Sequence, residues 1–444
     1  METSSNLSLR ARLKRAAGRL KASHLLLAAA TMHIVMVLLM FSIGRAQLWP
    51  SHFDDNGLGI FAADSYIYEN EIMYLARLLK TEGFLAWAIA PSQLHLRLYS
   101  LFYAPFSSWT RFNILTVEPL NLFYYLASLV LVFKVGREIY DRRAGLLAAT
   151  IVALWPSLLL HTTQLLRDPL LDVVMLALLL IMTRALTSKY SWQAGLLSGA
   201  CACLTLILLY IVRAAMWDVV RIMAGLGFVL LLIRMWRERR LLAGSLIVSL
   251  ALLCSALMIP KSGGFFKSQQ MSPSERGTTF MEKMQAAPFW QRVAERREKF
   301  IKESRRAEGQ SNLDDDVSLR SLGDIVLYLP RAAIIGFFAP FPNMWMSGRL
   351  NIGLLGSLLA GLETLLMYLN CFFIIVALRE KYHNLALWLV LLTAAAGMLG
   401  LGLIVVNVGS LYRLRYIYWI LLVILGAGGF VRLWSRTKFL EELF

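Results

Sequence analysis

Long apolar runs recur along the chain, separated by short stretches rich in arginine and lysine. Many of the runs reach the roughly 20 residues that an α-helix needs to cross a bilayer. They are too long and too uniformly apolar for the alternating strands of a membrane β-barrel. The pattern predicts an all-α polytopic membrane protein with about ten transmembrane helices. Their predicted ranges are 23–43, 117–135, 144–163, 170–186, 194–212, 219–235, 241–259, 352–378, 385–408 and 417–431.

The connections between these helices alternate in charge. The basic connections are 134–143, 184–189, 234–240, 379–381 and 432–438, and the N-terminal segment 1–21 is also basic. Because arginine and lysine concentrate in cytoplasmic loops, we expect these connections and both termini to be cytoplasmic. The first apolar run is interpreted as a retained helix, since no small-residue cleavage site follows a short apolar core. Compact loops favour the inner membrane of a bacterium.

This orientation divides the chain into four parts. They are a basic cytoplasmic N-terminus (1–21), a transmembrane module (22–259) with a long outer loop (45–118), an extracytoplasmic or interfacial region (260–351), and C-terminal helices with a cytoplasmic tail (352–444). In the third part, apolar residues at helical spacing between Pro288 and Gly309 predict an amphipathic helix, which lies either at the lipid headgroups or on a neighbouring loop. The proline-interrupted apolar stretch 317–342 is predicted to be a surface or re-entrant segment.

Composition agrees with this class. Of 444 residues, 58% are hydrophobic and 16% are charged, and the mean hydropathy is +0.60. The formal charge of +17 fits the basic connections, and no nucleic-acid-binding motif is present, so no nucleic-acid partner is expected. The four cysteines fall inside apolar runs, where they are interpreted as packing residues rather than disulfides or metal ligands.

The first outer loop gathers acidic side chains among aromatic ones. These acids are Asp54, Asp55, Asp64, Glu69 and Glu71. Amphipathic patterns over 66–79 and 94–106 predict short helices that lie parallel to the membrane and hold the acids at a fixed depth. A carboxylate in a partly desolvated, aromatic-lined cleft is suited to act as a general base. Asp64, beside Tyr66 and Tyr68, fits this description best; the alternative is a solvated acidic rim.

Arginines at the predicted outer ends of helices complement these acids. They are Arg167, Arg213, Arg413 and Arg415. Cations are disfavoured on this side unless something compensates, and a phosphate group would do so through paired hydrogen bonds with guanidinium. The alternative for each arginine is an exposed position at the helix end, or an ion pair with Asp168 or Asp218.

No cofactor is predicted, but histidines on or near the same side leave a site for a divalent metal as an alternative. His52, His95 and His161 could join Asp54 or Asp64, but their spacing matches no zinc motif. His161 is interpreted mainly as a hydrogen-bonding residue between helices.

Several segments, in their order along the chain, resemble the GT-C membrane glycosyltransferases. The resemblance is to the branch of protein O-mannosyltransferases and lipid A aminoarabinose transferases, related to glycosyltransferase family 39. It is strongest over residues 64–186. The segments are ADSYIY followed by YLARLLKTEG, then HLRLYSLFYAPF, then VGREIYDRRAGLLAATIVALWPSLLLHTTQLLRDPLLDVVMLALLL, and finally LYRLRYIYWILLVILGAGG.

This resemblance implies an activity and a set of roles. Its members transfer a sugar from a polyprenyl-phosphate-linked donor on the extracytoplasmic side, with an aspartate of the first outer loop as base. By resemblance Asp64 takes that role, Arg167 and Asp168 match an arginine–aspartate pair, and the terminal motif matches Arg413, Arg415 and Tyr416. Where the family often has two adjacent acids this chain has Asp64 and Ser65, so Asp54, Asp55, Glu69 and Glu71 remain alternatives. The implied partners are the bilayer, the lipid-linked donor, and a glycan or lipid acceptor.

Three other functions remain open. A polysaccharide polymerase or ligase acting on undecaprenyl-diphosphate glycans would also use outer arginines and a large outer loop. A transporter of lipid-linked sugars would need ionisable residues within the spans, where Asp172 and Glu363 are two of few. A catalytically silent subunit with a similar body would lack transfer activity altogether.

Overall fold

The computed structural model describes residues 22–259, 288–306, 311–346 and 353–436. These residues are almost entirely helical or in short connections. Within them, extended backbone pairs only at two isolated bridges, Phe53 with Gly59 and Asn312 with Asn407. The predicted all-α class is therefore confirmed for the described part of the chain.

The first half begins with one long helix, continues with a loop of short helices, and then returns to long apolar helices. The helices are α1 (Ala22–Arg45), α2 (Asp64–Thr81), α3 (Phe84–Ile89), α4 (Leu94–Tyr103), α5 (Glu118–Ile139), α6 (Arg142–Ala153), α7 (Pro156–Thr162), α8 (Asp168–Thr187), α9 (Trp192–Arg213), α10 (Trp217–Glu238) and α11 (Ala243–Met258). Single 3-10 turns lie at Ile60–Ala62, Ile114–Thr116 and Ala214–Met216. Helices α2 and α4 cover most of the two amphipathic patterns predicted in the first loop.

The second half contains five long helices and two short ones among the described residues. They are α12 (Phe289–Arg306), α13 (Leu322–Phe338), α14 (Pro342–Trp345), α15 (Gly353–Lys381), α16 (Leu385–Ile404), α17 (Val408–Leu414) and α18 (Tyr416–Arg436). The predicted amphipathic helix corresponds to α12. Its Arg297 is buried and donates to the carbonyl oxygens of Val317 at 3.1 Å and Leu403 at 2.9 Å, so this residue packs against the protein.

Seven helices among the described residues are long and apolar enough to cross a membrane. They are α1, α5, α8, the 47-residue stretch Trp192–Glu238, α15, α16 and α18. These helices fit an integral membrane protein. The difference from the predicted ten has three sources: Trp192–Glu238 corresponds to two predicted spans, α6 and α7 form one pair bent by 67°, and α11 has only 16 residues.

The break between α6 and α7 has a local cause. Pro156 is the first residue of α7, and Trp155 before it has extended backbone angles. A residue that precedes proline is pushed away from helical angles, so the predicted span 144–163 divides there. The 47-residue stretch is also interrupted, at Arg213, whose φ of −158° and ψ of 82° are not helical.

Helices α8 and α18 lie at the centre of the described bundle. Helix α8 packs against α5, α9 and α16, while α18 packs against α15, α6 and α16. Helix α13, from the stretch 317–342, packs closely on α16. A Cβ atom added to Gly402 would lie 2.0 Å from the carbonyl oxygen of Ala332, so only glycine permits this approach between α16 and α13.

Candidate functional site

Asp64 and Arg413 meet at the start of α2. Arg413 Nη2 donates to Asp64 Oδ2 at 2.7 Å. Asp64 is the first residue of α2, where the exposed backbone N–H groups favour a negative charge. Arg413 lies on the short helix α17, which begins where the side chain of Asn407 accepts a hydrogen bond from the backbone N–H of Ser410. The predicted base and one predicted phosphate-binding arginine are therefore neighbours.

Asp168 connects this pair to a further arginine, Arg213. Arg413 Nε lies 3.4 Å from Asp168 Oδ2, and Arg213 Nη1 donates to Asp168 Oδ1. Asp168 and Arg213 are nearly inaccessible, with side-chain exposures of 10% and 8%. We name Asp64, Arg413, Asp168 and Arg213 the acid–arginine chain. For Arg213, the predicted alternative of an ion pair with Asp168 is what the structure has.

Arg167 lies beside the acid–arginine chain but is not paired with any of its members. It is half-buried, and its side chain makes no hydrogen bond or ion pair with any residue that the structure describes. Its charge nevertheless acts on Tyr68, His95 and Asp168. Three arginines and two aspartates leave a net positive charge in this small region, which suits an anionic ligand.

Two aromatic residues of the first loop border this region. The rings of Tyr68 and His95 are 4.9 Å apart and meet edge to face. Burial, and secondly the charge of Arg167, lower the pKa of His95 to about 3, so the imidazole is neutral at pH 7. Burial raises the pKa of Tyr68. His95 Nε2 is buried without a hydrogen-bond partner among the described residues, and sequence reasoning gave it a role only as a metal ligand.

Arg415 does not join the acid–arginine chain. Its guanidinium is buried, donates to the carbonyl oxygen of Ala339, and lies 4.8 Å from the centre of the Tyr412 ring and 5.5 Å from that of Trp419. Side chains two positions apart on helical backbone point in nearly opposite directions, which separates Arg415 from Arg413. The predicted pair of phosphate-binding arginines is thus divided between two clusters.

Glu363 is the centre of the second cluster. This buried carboxylate on α15 accepts hydrogen bonds from the Ser157 backbone N–H at 2.8 Å, the Ser157 hydroxyl at 2.6 Å, and the Tyr412 hydroxyl. Glu363 therefore provides a hydrogen-bond acceptor for a backbone N–H in the first turn of α7, directly after the bend between α6 and α7. His161, also on α7, has Nδ1 2.7 Å from the Ser157 carbonyl oxygen and 3.1 Å from the Tyr416 hydroxyl. These contacts place His161 and Tyr416 in an interhelical hydrogen-bond network.

The other predicted acids are held within the first loop. Asp54 Oδ1 accepts from the backbone N–H groups of Asn56 and Leu58 at 3.0 and 2.7 Å, which closes a turn. The remaining contacts are Gln47 to Asp55 at 3.1 Å, Asn56 to Glu69 at 2.7 Å, and Ser92 to Glu71 at 2.6 Å. Burial, and secondly Asp54, raise the pKa of Glu69 to about 7.

Gln164 is a residue that sequence reasoning missed. It is fully buried between α7 and α8, and its Oε1 accepts from the backbone N–H of Gly59 at 2.9 Å. This bond joins the first loop to the connection that carries Arg167 and Asp168. The available signal was the run of polar residues from His161 to Gln164, between the apolar residues that precede it and those before Arg167.

The described residues contain no group of three or more histidine, cysteine, aspartate or glutamate side chains arranged to hold a metal ion. In comparisons with known proteins, no family model matched the chain and no curated protein matched its sequence. The site is therefore interpreted from its own geometry and charge.

Proposed function

We propose that this protein is a glycosyltransferase that moves a sugar from a polyprenyl-phosphate-linked donor to a lipid or glycan acceptor. The reaction takes place on the extracytoplasmic face of a bacterial inner membrane. The observation that carries the proposal is the 2.7 Å contact between Asp64 and Arg413, with the uncommitted Arg167 close by. Transfer from such a donor uses these two kinds of group close together, a carboxylate as the base and a guanidinium for the leaving phosphate.

Asp64 is the general base in this proposal. A sugar hydroxyl is a poor nucleophile until a base accepts its proton. Arg413 occupies Asp64 Oδ2, whereas Oδ1 accepts no hydrogen bond from any described residue. The side chain is 39% exposed, so an acceptor hydroxyl can approach the carboxylate. Arg413 fixes the direction of the carboxylate through this hydrogen bond.

Arg167 is the principal ligand of the donor phosphate, and Arg413 assists it. The phosphate leaving group gains negative charge as the bond to the sugar breaks, and a guanidinium can neutralise that charge with two parallel hydrogen bonds. Arg213 is already paired with Asp168, so it holds the site together rather than binding the phosphate.

The position of the site suits a lipid-linked donor. Asp168 begins α8 and Arg213 ends α9, and these two consecutive helices belong to apolar stretches able to span a membrane. The first residue of α8 and the last residue of α9 therefore lie on the same side of the helix bundle, where they contact each other. A donor whose chain lies in the bilayer presents its phosphate at about that level.

The test compares lipid-linked and surface glycans by mass spectrometry in cells that lack the protein. The cells are then complemented with wild type, with Asp64→Asn, or with the control Glu82→Gln, which removes an exposed carboxylate near the end of α2. We expect wild type and the control to restore a defined sugar. Loss of a general base typically costs about 10²–10⁴ in rate, so Asp64→Asn should not restore it.

Two results would contradict the proposal. If deletion changes no glycan, transfer is not the function under those conditions of growth. If Asp64→Asn restores the sugar fully while Arg413→Gln shortens a polysaccharide, a polymerase or ligase explains the arginines better.

A further inference from the structure

A recess lies on another side of α2, away from the acid–arginine chain. It is an open pocket of about 960 Å³ between the end of α1, the middle of α2 and the turns that follow α4. Its lining includes Arg45, Asp55, Asn56, Glu69, Trp109 and Arg111, and contains no member of the acid–arginine chain. Five positions separate Asp64 from Glu69, which is a rotation of roughly 140° around a helix, so the two carboxylates face different spaces.

The two arginines of the pocket have no protein partner in the part of the chain that the structure describes. Arg45 and Arg111 are both exposed, and neither side chain makes a hydrogen bond or ion pair there. They come from segments far apart in the sequence, one from the end of α1 and one from the turns after α4. A pocket lined by two such guanidinium groups suits an anionic group on a ligand.

The same pocket carries acceptors as well as donors. Asp55 accepts one hydrogen bond, from Gln47, and Glu69 accepts one, from Asn56. Each carboxylate can accept several, so capacity remains for hydroxyl groups of a ligand. A simple inorganic anion would be repelled by these two acids. A ligand that carries both hydroxyls and an anionic group uses all of the polar groups.

Trp109 gives the pocket an aromatic face. Its side chain is 82% exposed, and the turns that carry it are fixed by the backbone hydrogen bond from Trp109 to Phe106 at 2.9 Å. Lys80 Nζ donates to Ser108 Oγ at 2.7 Å and so ties these turns to α2. The indole is therefore presented by a formed loop, and a flat apolar ring face of this kind packs against the C–H face of a sugar ring.

We infer that this pocket binds an acidic saccharide, with a sugar ring on Trp109 and the anionic group between Arg45 and Arg111. Asp55 and Glu69 accept hydrogen bonds from the hydroxyls, and the amide of Asn56 can accept from them or donate to them. The volume is at the upper end of the about 300–1,000 Å³ usual for small-molecule pockets, so it accommodates more than one sugar ring. Its role as the acceptor's site depends on the proposed transferase function, whereas the binding itself does not.

Binding is tested with the full chain in nanodiscs of phosphatidylcholine. The probes are trigalacturonate, neutral maltotriose and inorganic phosphate. Binding of each probe is measured by calorimetry and by saturation-transfer NMR. We expect trigalacturonate to bind and the other two not to bind. Arg45→Gln and Arg111→Gln should each weaken binding about tenfold, as expected for loss of a charge-assisted hydrogen bond. Trp109→Ala should abolish saturation transfer to the ring protons.

Matched controls lie outside the pocket. Arg77→Gln, on the same helix α2, and Trp192→Ala, at the start of α9, should leave the affinity for trigalacturonate unchanged because both residues are exposed elsewhere. Asp64→Asn should also bind normally although it is inactive. If it binds trigalacturonate but glycans do not depend on Asp64, the pocket stands and the transferase proposal fails.

Four outcomes would overturn the inference. They are no binding of trigalacturonate, equal binding of maltotriose, equal binding of phosphate, and binding that the pocket variants do not change. An anionic lipid headgroup with free hydroxyls shares the same chemistry, so the titration is repeated in nanodiscs that contain phosphatidylglycerol. If that lipid displaces trigalacturonate, the headgroup is the occupant and the saccharide assignment is wrong.

Discussion

Arg413 donates a 2.7 Å hydrogen bond to Asp64, a residue 349 positions earlier in the chain. The bond joins a short helix of the C-terminal region to the first residue of α2 in the loop between α1 and α5. Because Arg413 also contacts Asp168, one guanidinium fixes the mutual position of three separate segments. The site is therefore a product of tertiary structure rather than of one motif.

The first prediction concerns the energetic coupling of this pair. Asp64→Asn and Arg413→Gln should each lower the free energy of unfolding, and the double variant should lose less than the sum of the two. Residues in one ion-pair network typically couple by about 0.5–3 kcal/mol, and partial exposure places this pair in the lower part of that range. Thermal unfolding of the four proteins in detergent measures the coupling. Strict additivity would mean that the contact does not contribute.

The second prediction concerns the buried end of the acid–arginine chain. Arg213→Met should destabilise the protein strongly, since it leaves Asp168 buried with only the longer contact to Arg413. Breaking a buried ion pair from one side costs about 3–5 kcal/mol. Adding Asp168→Asn should restore part of the loss, and the exposed control Arg77→Met should have little effect. Equal melting temperatures for Arg213→Met and wild type would contradict the described pairing.

The third prediction separates binding from stability at Arg167. Because its side chain has no hydrogen bond or ion pair with the described residues, Arg167→Gln should leave the melting temperature unchanged. A hydrogen bond between charged groups is worth about 1.5–3 kcal/mol, so kcat/KM for the lipid-linked donor should fall roughly 10- to 100-fold. The measurement is initial rates with purified protein over a range of donor concentrations. Unchanged kinetics would exclude Arg167 as the phosphate ligand.

The fourth prediction is a pH dependence at Glu69. Its pKa in the folded protein is raised to about 7 by burial and by Asp54, above the ordinary value of 4.5. The folded state therefore holds this proton more tightly than the unfolded state, and stability falls as pH rises from about 4.5 to about 7. Glu69→Gln should raise the melting temperature at pH 8 and change it little at pH 4. The same difference at both pH values would show that Glu69 does not titrate in this way.

The helical fold follows largely from the order of apolar runs and prolines in the sequence. The run lengths predicted α1, α5, α8, α15, α16 and α18, because each forms a long apolar helix. The single span predicted over 144–163 was divided by Pro156, although the proline was visible in the sequence. The break at Arg213 within the stretch Trp192–Glu238 agrees with the two spans predicted over 194–212 and 219–235, because the charged residues Arg213 and Asp218 separate the two apolar runs.

The composition of the site was less accessible from sequence than the fold. The sequence indicated Asp64 from the acidic cluster of the first loop, and Arg167, Arg213 and Arg413 from their positions at predicted helix ends. Which arginine contacts which acid could not be predicted, because those contacts depend on how distant segments pack. The separation of Arg415 from Arg413 illustrates this: the two are equivalent as charges, and only the direction of each side chain around the backbone distinguishes them.

The long separation between Asp64 and Arg413 also constrains how the protein matures. During synthesis Asp64, Asp168 and Arg213 emerge before Arg413, and the N-terminal parts of a chain generally fold first. The Arg213–Asp168 pair can form at that stage, but the contact between Asp64 and Arg413 cannot form until the segment around α17 has been made. In the proposed function, a chain that ends before α17 is therefore inactive, because it lacks Arg413. Its earlier apolar helices could already be inserted in the membrane, but its active site would be incomplete.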